Sequence, residues 1–220
     1  MTDEKILRKI CNYAKLNKCD IVLEIGSGTG NLTFEIAKLA EVYAVEKDKN
    51  LISELKKIKS SNSNINSNIH IINDDALKIE FPRFNKVVAN MPYAISKKIT
   101  LKLLKYKFDL GILTYQKEFA EKLTADVGSI NYKFITAAAQ TFWDMKILNY
   151  VSRSAFSPAP NVKSAIIQIK PSQNNYIENY ISFIRNLFNH RNKKIKYIGK
   201  RVYELSPEEL LELYENQKIK

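Results

Sequence analysis

The most specific chemical signal in this sequence is the tetrapeptide Asn90-Met91-Pro92-Tyr93, which ends the short apolar run that begins at Lys86. An amine attached to an aromatic ring, such as N6 of adenine, is a poor nucleophile because its lone pair is delocalised into the ring. The side-chain oxygen of Asn90 and the carbonyl of Met91 can accept the two amine hydrogens and localise that lone pair, while Tyr93 stacks on the base. The pattern therefore predicts a transfer reaction that depends on orientation and electrostatics.

A second aromatic residue should face Tyr93, because chemistry on a base requires that the base leave its stack. The candidate is Phe156, in S-A-F-S-P-A-P-N-V-K-S-A. Each stack on an aromatic ring contributes on the order of 1–3 kcal/mol, which roughly offsets the extrusion of an unpaired nucleotide. Taken singly, the tetrapeptide fits an ordinary turn and Phe156 fits a core residue. Their order behind a glycine-rich loop favours the chemical interpretation.

That loop, E-I-G-S-G-T-G from Glu24 to Gly30, follows the first predicted strand and continues directly into a helical pattern. Gly26, Gly28 and Gly30 permit a tight turn and let a ligand approach the backbone at a helix N-terminus. A dinucleotide fingerprint would need a glycine where this chain has Asn31. The pattern G-x-G-x-G after an acidic residue resembles instead the first motif of the class I S-adenosylmethionine methyltransferases.

Further carboxylates stand at the ends of the next two predicted strands: Glu46 ends the second strand and Asp75 comes shortly after the third. Glu46 lies one βα unit after the loop, where it can accept hydrogen bonds from both ribose hydroxyls of a nucleoside. Asp75, followed by Ala76, can accept from the exocyclic amine of the cofactor's adenine, and the adjacent Asp74 remains an alternative. Glu24 is expected to order water or the methionine amine. Because open α/β sheets bind ligands at the carboxyl ends of their strands, these positions predict one S-adenosylmethionine site.

Short β-branched runs alternate with helical patterns over most of the chain, which is typical of a parallel sheet covered by helices. The predicted strands are Ile21–Ile25, Val42–Glu46, Ile69–Asn73, Lys86–Asn90, Asp109–Tyr115, Met145–Val151 and Ser164–Lys170. Helical spacing recurs in Ile6–Leu16, Leu32–Leu39, Leu51–Ile58, Ile99–Leu104 and Phe119–Leu123. Seven strands fit one doubly wound α/β sheet of the Rossmann-like kind.

Strand patterns stop after Pro171, and the remainder predicts helices over Tyr176–Asn189 and Arg191–Val202. A third helix should begin at Ser206-Pro207-Glu208-Glu209, with serine as N-cap. We therefore divide the chain into a main domain, residues 1–171, and a small helical tail, residues 172–220, which is too small to stand alone. The low-complexity run Ser60–Asn68 is interpreted as an exposed, mobile loop.

The formal net charge of +12 over 220 residues suggests a polyanionic partner, because Lys and Arg neutralise phosphates. A chain rich in Lys, Asn, Ile and Tyr can also come from an AT-biased genome without selection for RNA binding. The clustering of basic residues near the end favours RNA. The candidate RNA contacts are Arg191, Lys193, Lys194 and Arg201.

Cys11 and Cys19 fit neither a C-x-x-C pair nor a disulfide framework, and no His/Cys cluster at zinc spacing accompanies them, so no metal is expected. No apolar run approaches the roughly 20 residues that span a bilayer. The charged segment Met1–Arg8 lacks the apolar run of a signal peptide. We expect a soluble, cytoplasmic, monomeric protein without a membrane partner.

With these motifs in hand, the sequence resembles the ribosomal RNA adenine N6-dimethyltransferases, which modify two adjacent adenosines in the 3′-terminal hairpin of small-subunit RNA. The resemblance covers about residues 3–201 and includes V-E-K-D, D-A-L, Y-Q-K-E-F-A-E-K-L and F-N-H-R-N-K; the later string S-P-E-E-L is similar to archaeal members. It implies S-adenosylmethionine as methyl donor, with Gly26, Glu46 and Asp75 at the cofactor and Asn90 between cofactor and target. It also implies the assembling small ribosomal subunit as partner.

Two features depart from that family. Its members usually carry a basic N-terminal arm and a Gln-x-Phe-Leu segment that closes over the cofactor, whereas this sequence begins just after that point, and the tail is shorter than usual. Two other functions remain open: a large-subunit adenine N6-methylase of the macrolide-resistance type, and a non-catalytic assembly or transcription factor on the same fold. The S-P-E-E-L string favours the small subunit over the large one.

Overall fold

The computed structural model describes residues 1–61, 63–172, 174, 178–196 and 198–218. Within them, seven strands form one sheet in the order β3-β2-β1-β4-β5-β7-β6. The strand β7 is antiparallel to both of its neighbours, and the other pairs are parallel. The strands are β1 (Ile21–Ile25), β2 (Glu41–Glu46), β3 (Ile69–Asn73), β4 (Lys86–Asn90), β5 (Leu110–Gln116), β6 (Trp143–Val151) and β7 (Ser164–Pro171). The predicted α/β class and seven-stranded sheet are confirmed.

Helices cover both faces of this sheet. They are α1 (Glu4–Ala14), α2 (Asn31–Ala37), α3 (Lys49–Ser60), α4 (Ser96–Leu103), α5 (Lys117–Leu123), α6 (Phe134–Phe142), α7 (Glu178–Asn189) and α8 (Pro207–Lys218). Successive strand residues point to opposite faces. Accordingly, Val88 belongs to the apolar cluster under α1 and α2, whereas Val87 and Ala89 belong to the cluster under α4 and α6. The sheet thus lies between two cores.

The topology brings the carboxyl ends of the parallel strands to one edge. Strand order reverses between β1 and β4, which pair with Leu23 opposite Val87. The glycine loop leaves β1 and the tetrapeptide leaves β4, so both chain segments emerge at the switch point of the sheet, where open α/β folds bind ligands.

Two local predictions differ from the structure, and a third lies partly outside the described residues. The predicted helix Arg191–Val202 is wrong: none of the described residues from 191 to 201 is helical, Gly199 has φ +76°, and Lys194 pairs with Arg201 in an antiparallel bridge. The run Ser60–Asn68 is not a plain loop, because α3 ends at Ser60 and a 3₁₀ helix spans Ser63–Asn68. Helix α7 begins at Glu178, and the predicted start at Tyr176 lies outside the described residues.

The C-terminal helices share the larger core with the sheet. Tyr180 and Ile184 of α7 and Leu213 of α8 are buried in the same cluster as α6. Helix α8 begins as predicted: the Ser206 hydroxyl accepts from the Glu209 N–H at 3.2 Å, and the Glu209 carboxylate accepts from the Ser206 N–H at 2.9 Å. The division of the chain after residue 171 stays a prediction.

Candidate active site

The glycine loop packs directly against the tetrapeptide. The Gly26 N–H donates to the Val45 carbonyl at 2.8 Å and holds the loop on β2. Gly26 has φ +75°, and a Cβ there would lie 2.5 Å from Cγ of Pro92. Only glycine lets these two segments approach so closely. The segments that follow the first and fourth strands therefore lie against each other.

Glu46 is fixed at the end of β2 by backbone donors. Its Oε2 accepts from the Gly28 N–H at 3.0 Å, and its Oε1 accepts from the N–H groups of Lys47 and Asp48 at 2.8 and 2.9 Å. Three amide donors orient the carboxylate beside the loop, and its contact with a ribose stays a prediction.

The acidic pair after β3 is held as firmly. Oδ1 of Asp75 accepts from the Leu77 N–H at 3.0 Å, and Oδ2 contacts Nζ of Lys47 at 3.1 Å. The hydrogen bond from the Leu77 N–H has the larger effect on Asp75 and that from Lys47 the smaller, and both lower the pKa of its carboxyl group below the usual value. Asp74 accepts from the Asp75 N–H at 2.6 Å. The choice between Asp74 and Asp75 as adenine contact stays a prediction.

A cavity of about 280 Å³ lies at these strand ends. Its wall contains five of the predicted cofactor and target residues, and also Asp74, the alternative to Asp75. Lys47, Leu77 and Ile95 line it as well, although the sequence reasoning missed them. Glu24, Gly28, Gly30 and Asn90 do not line it. The predicted residues in its wall are Gly26, Glu46, Asp75, Ala76 and Pro92.

Glu24 lies beneath the loop with only 1% of its surface exposed. Burial raises the pKa of its carboxyl group to about 8; the Thr33 hydroxyl, which donates to it at 2.6 Å, opposes this rise, and the charge of Glu46 adds to it. Thr33, in the first turn of α2, is a partner of Glu24 that the motif analysis overlooked. The pair forms a buried acid whose charge state a nearby cation can change.

Asn90 holds an acceptor without a partner. Its Oδ1 is buried and receives no hydrogen bond from the described residues. A buried acceptor left unpaired costs roughly 1–3 kcal/mol. Thr114, its register neighbour on β5, also has a buried hydroxyl oxygen that is unpaired within the described part of the chain. Two side-chain oxygens at this end of β4 and β5 are thus unpaired within the described residues, and the role of Asn90 toward a target amine stays a prediction.

Met91 and Tyr93 are tied to the strands on either side. The Met91 N–H donates to the Thr114 carbonyl at 3.0 Å and continues the pairing of β4 with β5. The Tyr93 hydroxyl shares a 2.6 Å hydrogen bond with the hydroxyl of Ser164, a fully buried residue of β7. Ser164 stands in the predicted K-S-A string but was not singled out. The half-buried ring of Tyr93 is thereby tied to β7, and its stacking on a base stays a prediction.

Phe156 follows a 3₁₀ turn at Arg153–Ala155 and packs, half-buried, on the core under α1 and α2. The Ala155 carbonyl accepts from the N–H groups of Thr2 and Asp3, so the first described residues run past this turn. No ring contact joins Phe156 to Tyr93 in the described structure. Its place opposite Tyr93 across a base stays a prediction.

The predicted RNA contacts surround the Lys194–Arg201 bridge. Lys193, Lys194 and Arg201 are exposed. The guanidinium of Arg191, in contrast, faces the Ser129 and Ile130 carbonyls at 3.4 Å and lies 4.9 Å from the Tyr203 ring centroid. Arg191 therefore anchors this segment to the body of the protein, and its contact with RNA stays a prediction.

Within the described ranges, no group of three or more His, Cys, Asp and Glu residues is placed to hold a metal ion. In the same ranges, no helix combines the length and the apolar character that crossing a bilayer requires. The acidic residues that meet at the cavity are those already assigned to hydrogen bonding.

The fold is that of the class I methyltransferases. It has their strand order, with β7 inserted antiparallel between β5 and β6, and a cavity at the carboxyl ends of the parallel strands. The sequence model of the family described as ribosomal RNA adenine dimethylase matches residues 1–220. The chain belongs to this family of enzymes. The resemblance inferred from the motifs is confirmed.

Individual proteins agree with this assignment. A probable ribosomal RNA small subunit methyltransferase A from Thermococcus sibiricus is 42% identical over 190 residues, which cover 86% of this chain and 68% of that protein. A crystal structure of a dimethyladenosine transferase from Plasmodium falciparum superposes with a TM-score of 0.89 at 30% identity, covering 99% of this chain and 98% of the other. A crystal structure of the 23S rRNA methyltransferase ErmE superposes with a TM-score of 0.75 at 26% identity, covering 98% of this chain and 98% of the other.

Proposed function

We propose that this protein transfers methyl groups from S-adenosylmethionine to N6 of two adjacent adenosines in the 3′-terminal hairpin of small-subunit ribosomal RNA. It acts as a cytoplasmic monomer on the assembling subunit. The observation that carries the proposal is the buried Oδ1 of Asn90, unpaired within the described residues; Asn90 ends β4 and precedes Met91-Pro92-Tyr93. An acceptor kept without a donor at a ligand-binding edge indicates that the ligand brings the donor.

The residues around the cavity fit S-adenosylmethionine. The carboxylate oxygens of Glu46 can accept hydrogen bonds from ribose hydroxyls, and those of Asp75 can accept from the adenine amine. Because Gly26 has no side chain, the glycine loop can lie directly against Pro92. Glu24, buried beneath the loop, faces the methionine ammonium directly or through water. When bound, the sulfonium supplies an electrophilic methyl group.

The rest of the site prepares the nucleophile. Oδ1 of Asn90 and the carbonyl of Met91 hold the two hydrogens of adenine N6, which favours the tetrahedral nitrogen on which the lone pair is localised. Tyr93, anchored by Ser164, stacks on one face of the extruded base, and Phe156 takes the other. The chain contributes orientation and electrostatics, and its side chains form no covalent intermediate.

The direct test offers labelled S-adenosylmethionine with unmodified small and large ribosomal subunits, followed by nucleoside mass spectrometry. We expect N6,N6-dimethyladenosine in small-subunit RNA. Label on the large subunit would support the macrolide-resistance type of activity, of which ErmE is a structural neighbour. S-adenosylmethionine binding without transfer to either subunit would support an assembly factor.

Replacing Asn90 tests the mechanism. Asn90→Ala removes one of the two acceptors for N6, so we expect loss of at least about 100-fold in methyl transfer, in the range of removing one preorganised group at a transition state. The Kd for S-adenosylmethionine should change less than about threefold. Asn90→Asp keeps an acceptor oxygen at the same length and should retain more activity than Asn90→Ala. Wild-type turnover in Asn90→Ala would contradict the assigned role.

A further inference from the structure

A second basic surface adjoins the segment that holds the Lys194–Arg201 bridge, and Arg191 belongs to both. It is a groove of about 420 Å³ formed by the first turn of α4, the start of α6 and the end of α7, here called the basic groove. Its described lining contains no carboxylate. The lining residues are Lys97, Lys133, Phe134, Arg185, Phe188, Asn189 and Arg191.

The cations of the basic groove are arranged around one aromatic ring. Nζ of Lys97 lies 5.9 Å from the Phe134 ring centroid, and the Arg185 guanidinium carbon lies 5.2 Å from it. Both side chains belong to exposed residues, and neither forms an ion pair with a described carboxylate. Phe134 therefore supports two positive charges that remain available to an anion.

The positive charges of Lys97 and Lys133 lie at positions where they do not stabilise the fold. Lys97 lies in the first turn of α4, which carries no acidic residue, although the helix dipole makes cations unfavourable there. Partial burial lowers the pKa of Lys133, and the positive charges of Arg191 and Lys122 lower it further. Uncompensated positive potential of this kind is typical of a phosphate-binding surface.

The basic groove begins close to the candidate active site. Lys97 follows Tyr93 by four residues, so their Cα atoms lie within about 15 Å of each other. A stacked strand advances ~3.4 Å per nucleotide, and about four nucleotides cover that distance. A strand whose target base is stacked on Tyr93 can therefore place its flanking phosphates in the basic groove.

We infer that the basic groove binds the phosphates of the RNA strand that flanks the target adenosine, with Lys97 and Arg185 as the principal contacts. This inference rests on the proposed function for the identity of the RNA. It assigns the positioning of the strand to α4 and α7, in addition to the exposed lysines of the Lys194–Arg201 bridge.

The test measures binding of the full chain to the unmethylated 3′-terminal hairpin of small-subunit RNA by fluorescence anisotropy, without cofactor, over a range of salt concentrations. We expect the double variant Lys97→Gln/Arg185→Gln to weaken binding about tenfold near 100 mM salt. The slope of log K against log salt should become shallower by about 1.4–1.8, since each lost phosphate contact removes ~0.7–0.9. The Kd for S-adenosylmethionine should stay unchanged.

Two controls separate phosphate binding from folding. Lys56→Gln/Lys57→Gln removes two exposed charges on α3 and should leave the slope at the wild-type value. Lys97→Arg/Arg185→Lys keeps both charges and should restore it. A wild-type slope in Lys97→Gln/Arg185→Gln, or an equal change in the α3 control, would overturn the inference. A different result would count against the proposed function alone: the salt slope changes in Lys97→Gln/Arg185→Gln as expected, but the wild-type protein transfers no methyl group.

Discussion

Glu24 is a buried acid whose ionisation is controlled by the fold. Burial raises its pKa to about 8, so the carboxyl group is mostly protonated in the free protein at pH 7. A cation placed beside it reverses that balance, because an opposite charge favours the ionised form. In the proposed site, the methionine ammonium of S-adenosylmethionine is that cation.

Cofactor binding should therefore release a proton. We expect calorimetric titration of the protein with S-adenosylmethionine at pH 7 to show a binding enthalpy that depends on the ionisation enthalpy of the buffer, with a fraction of one proton released. Glu24→Gln should bind more weakly and release no proton. An undiminished buffer dependence in Glu24→Gln would show that another group supplies the proton.

The same shift makes stability depend on pH. Between the ordinary glutamate pKa of 4.5 and the folded value of about 8, the folded state holds a proton that the unfolded state has lost. The contribution of Glu24 is therefore fully present below pH 4.5 and is lost as pH rises through about 8. We expect urea unfolding to show that Glu24→Gln gains stability relative to wild type between pH 6 and 9. A constant difference over that range would contradict the assignment.

At the scale of elements, the glycine loop offers a matched pair of substitutions. Gly26 and Gly28 both have positive φ, +75° and +58°, but a Cβ on Gly26 would meet Pro92 at 2.5 Å whereas a Cβ on Gly28 would meet nothing within 4 Å. Gly28→Ala should cost about 1–2 kcal/mol of stability through backbone strain. Gly26→Ala should cost more and should also abolish methyl transfer by displacing Pro92. Urea unfolding and the transfer assay measure both, and equal effects would contradict the contact.

The elements also show what periodicity can and cannot reveal. Strand β4 has its predicted bounds because K-V-V-A-N is a short apolar run with a polar end. Helix α6 was missed because nearly all its residues, from Ile135 to Phe142, are buried, so it has no polar face to produce a helical period. The predicted helix over 191–202 failed because Gly199 permits a reversal that the Lys194–Arg201 bridge closes.

The candidate site residues also differ in whether a local sequence signal marks them. The placement of Glu46 and Asn90 at strand ends, and of Asp75 just after β3, could be predicted because the topology brings these ends to one edge; their ligand contacts stay predictions. Ser164 could not, since it acts through the Tyr93 hydroxyl, 71 positions away along the chain. The position of β7 between β5 and β6, which makes this contact, has no local sequence signal.

At the scale of the whole molecule, the C-terminal helices complete the main core. Tyr180 of α7 is fully buried, contacts the rings of Phe142 and Tyr214, and shares a 3.0 Å hydrogen bond with the hydroxyl of Thr141 in α6. A contact surface this continuous couples the tail to the sheet. The predicted tail at residues 172–220 should then behave as part of one cooperative unit.

Tyr180→Ala tests that coupling. Removal of this buried ring should cost about 3–5 kcal/mol. Because α7 closes the core beneath the sheet, unfolding should remain one transition, with the fluorescence of Trp143, the single tryptophan, coinciding with far-ultraviolet circular dichroism. Ile130→Ala, at a residue 79% exposed, should change stability by less than about 0.5 kcal/mol. Loss of helical signal ahead of the Trp143 transition would show that the tail unfolds by itself and is a separate domain.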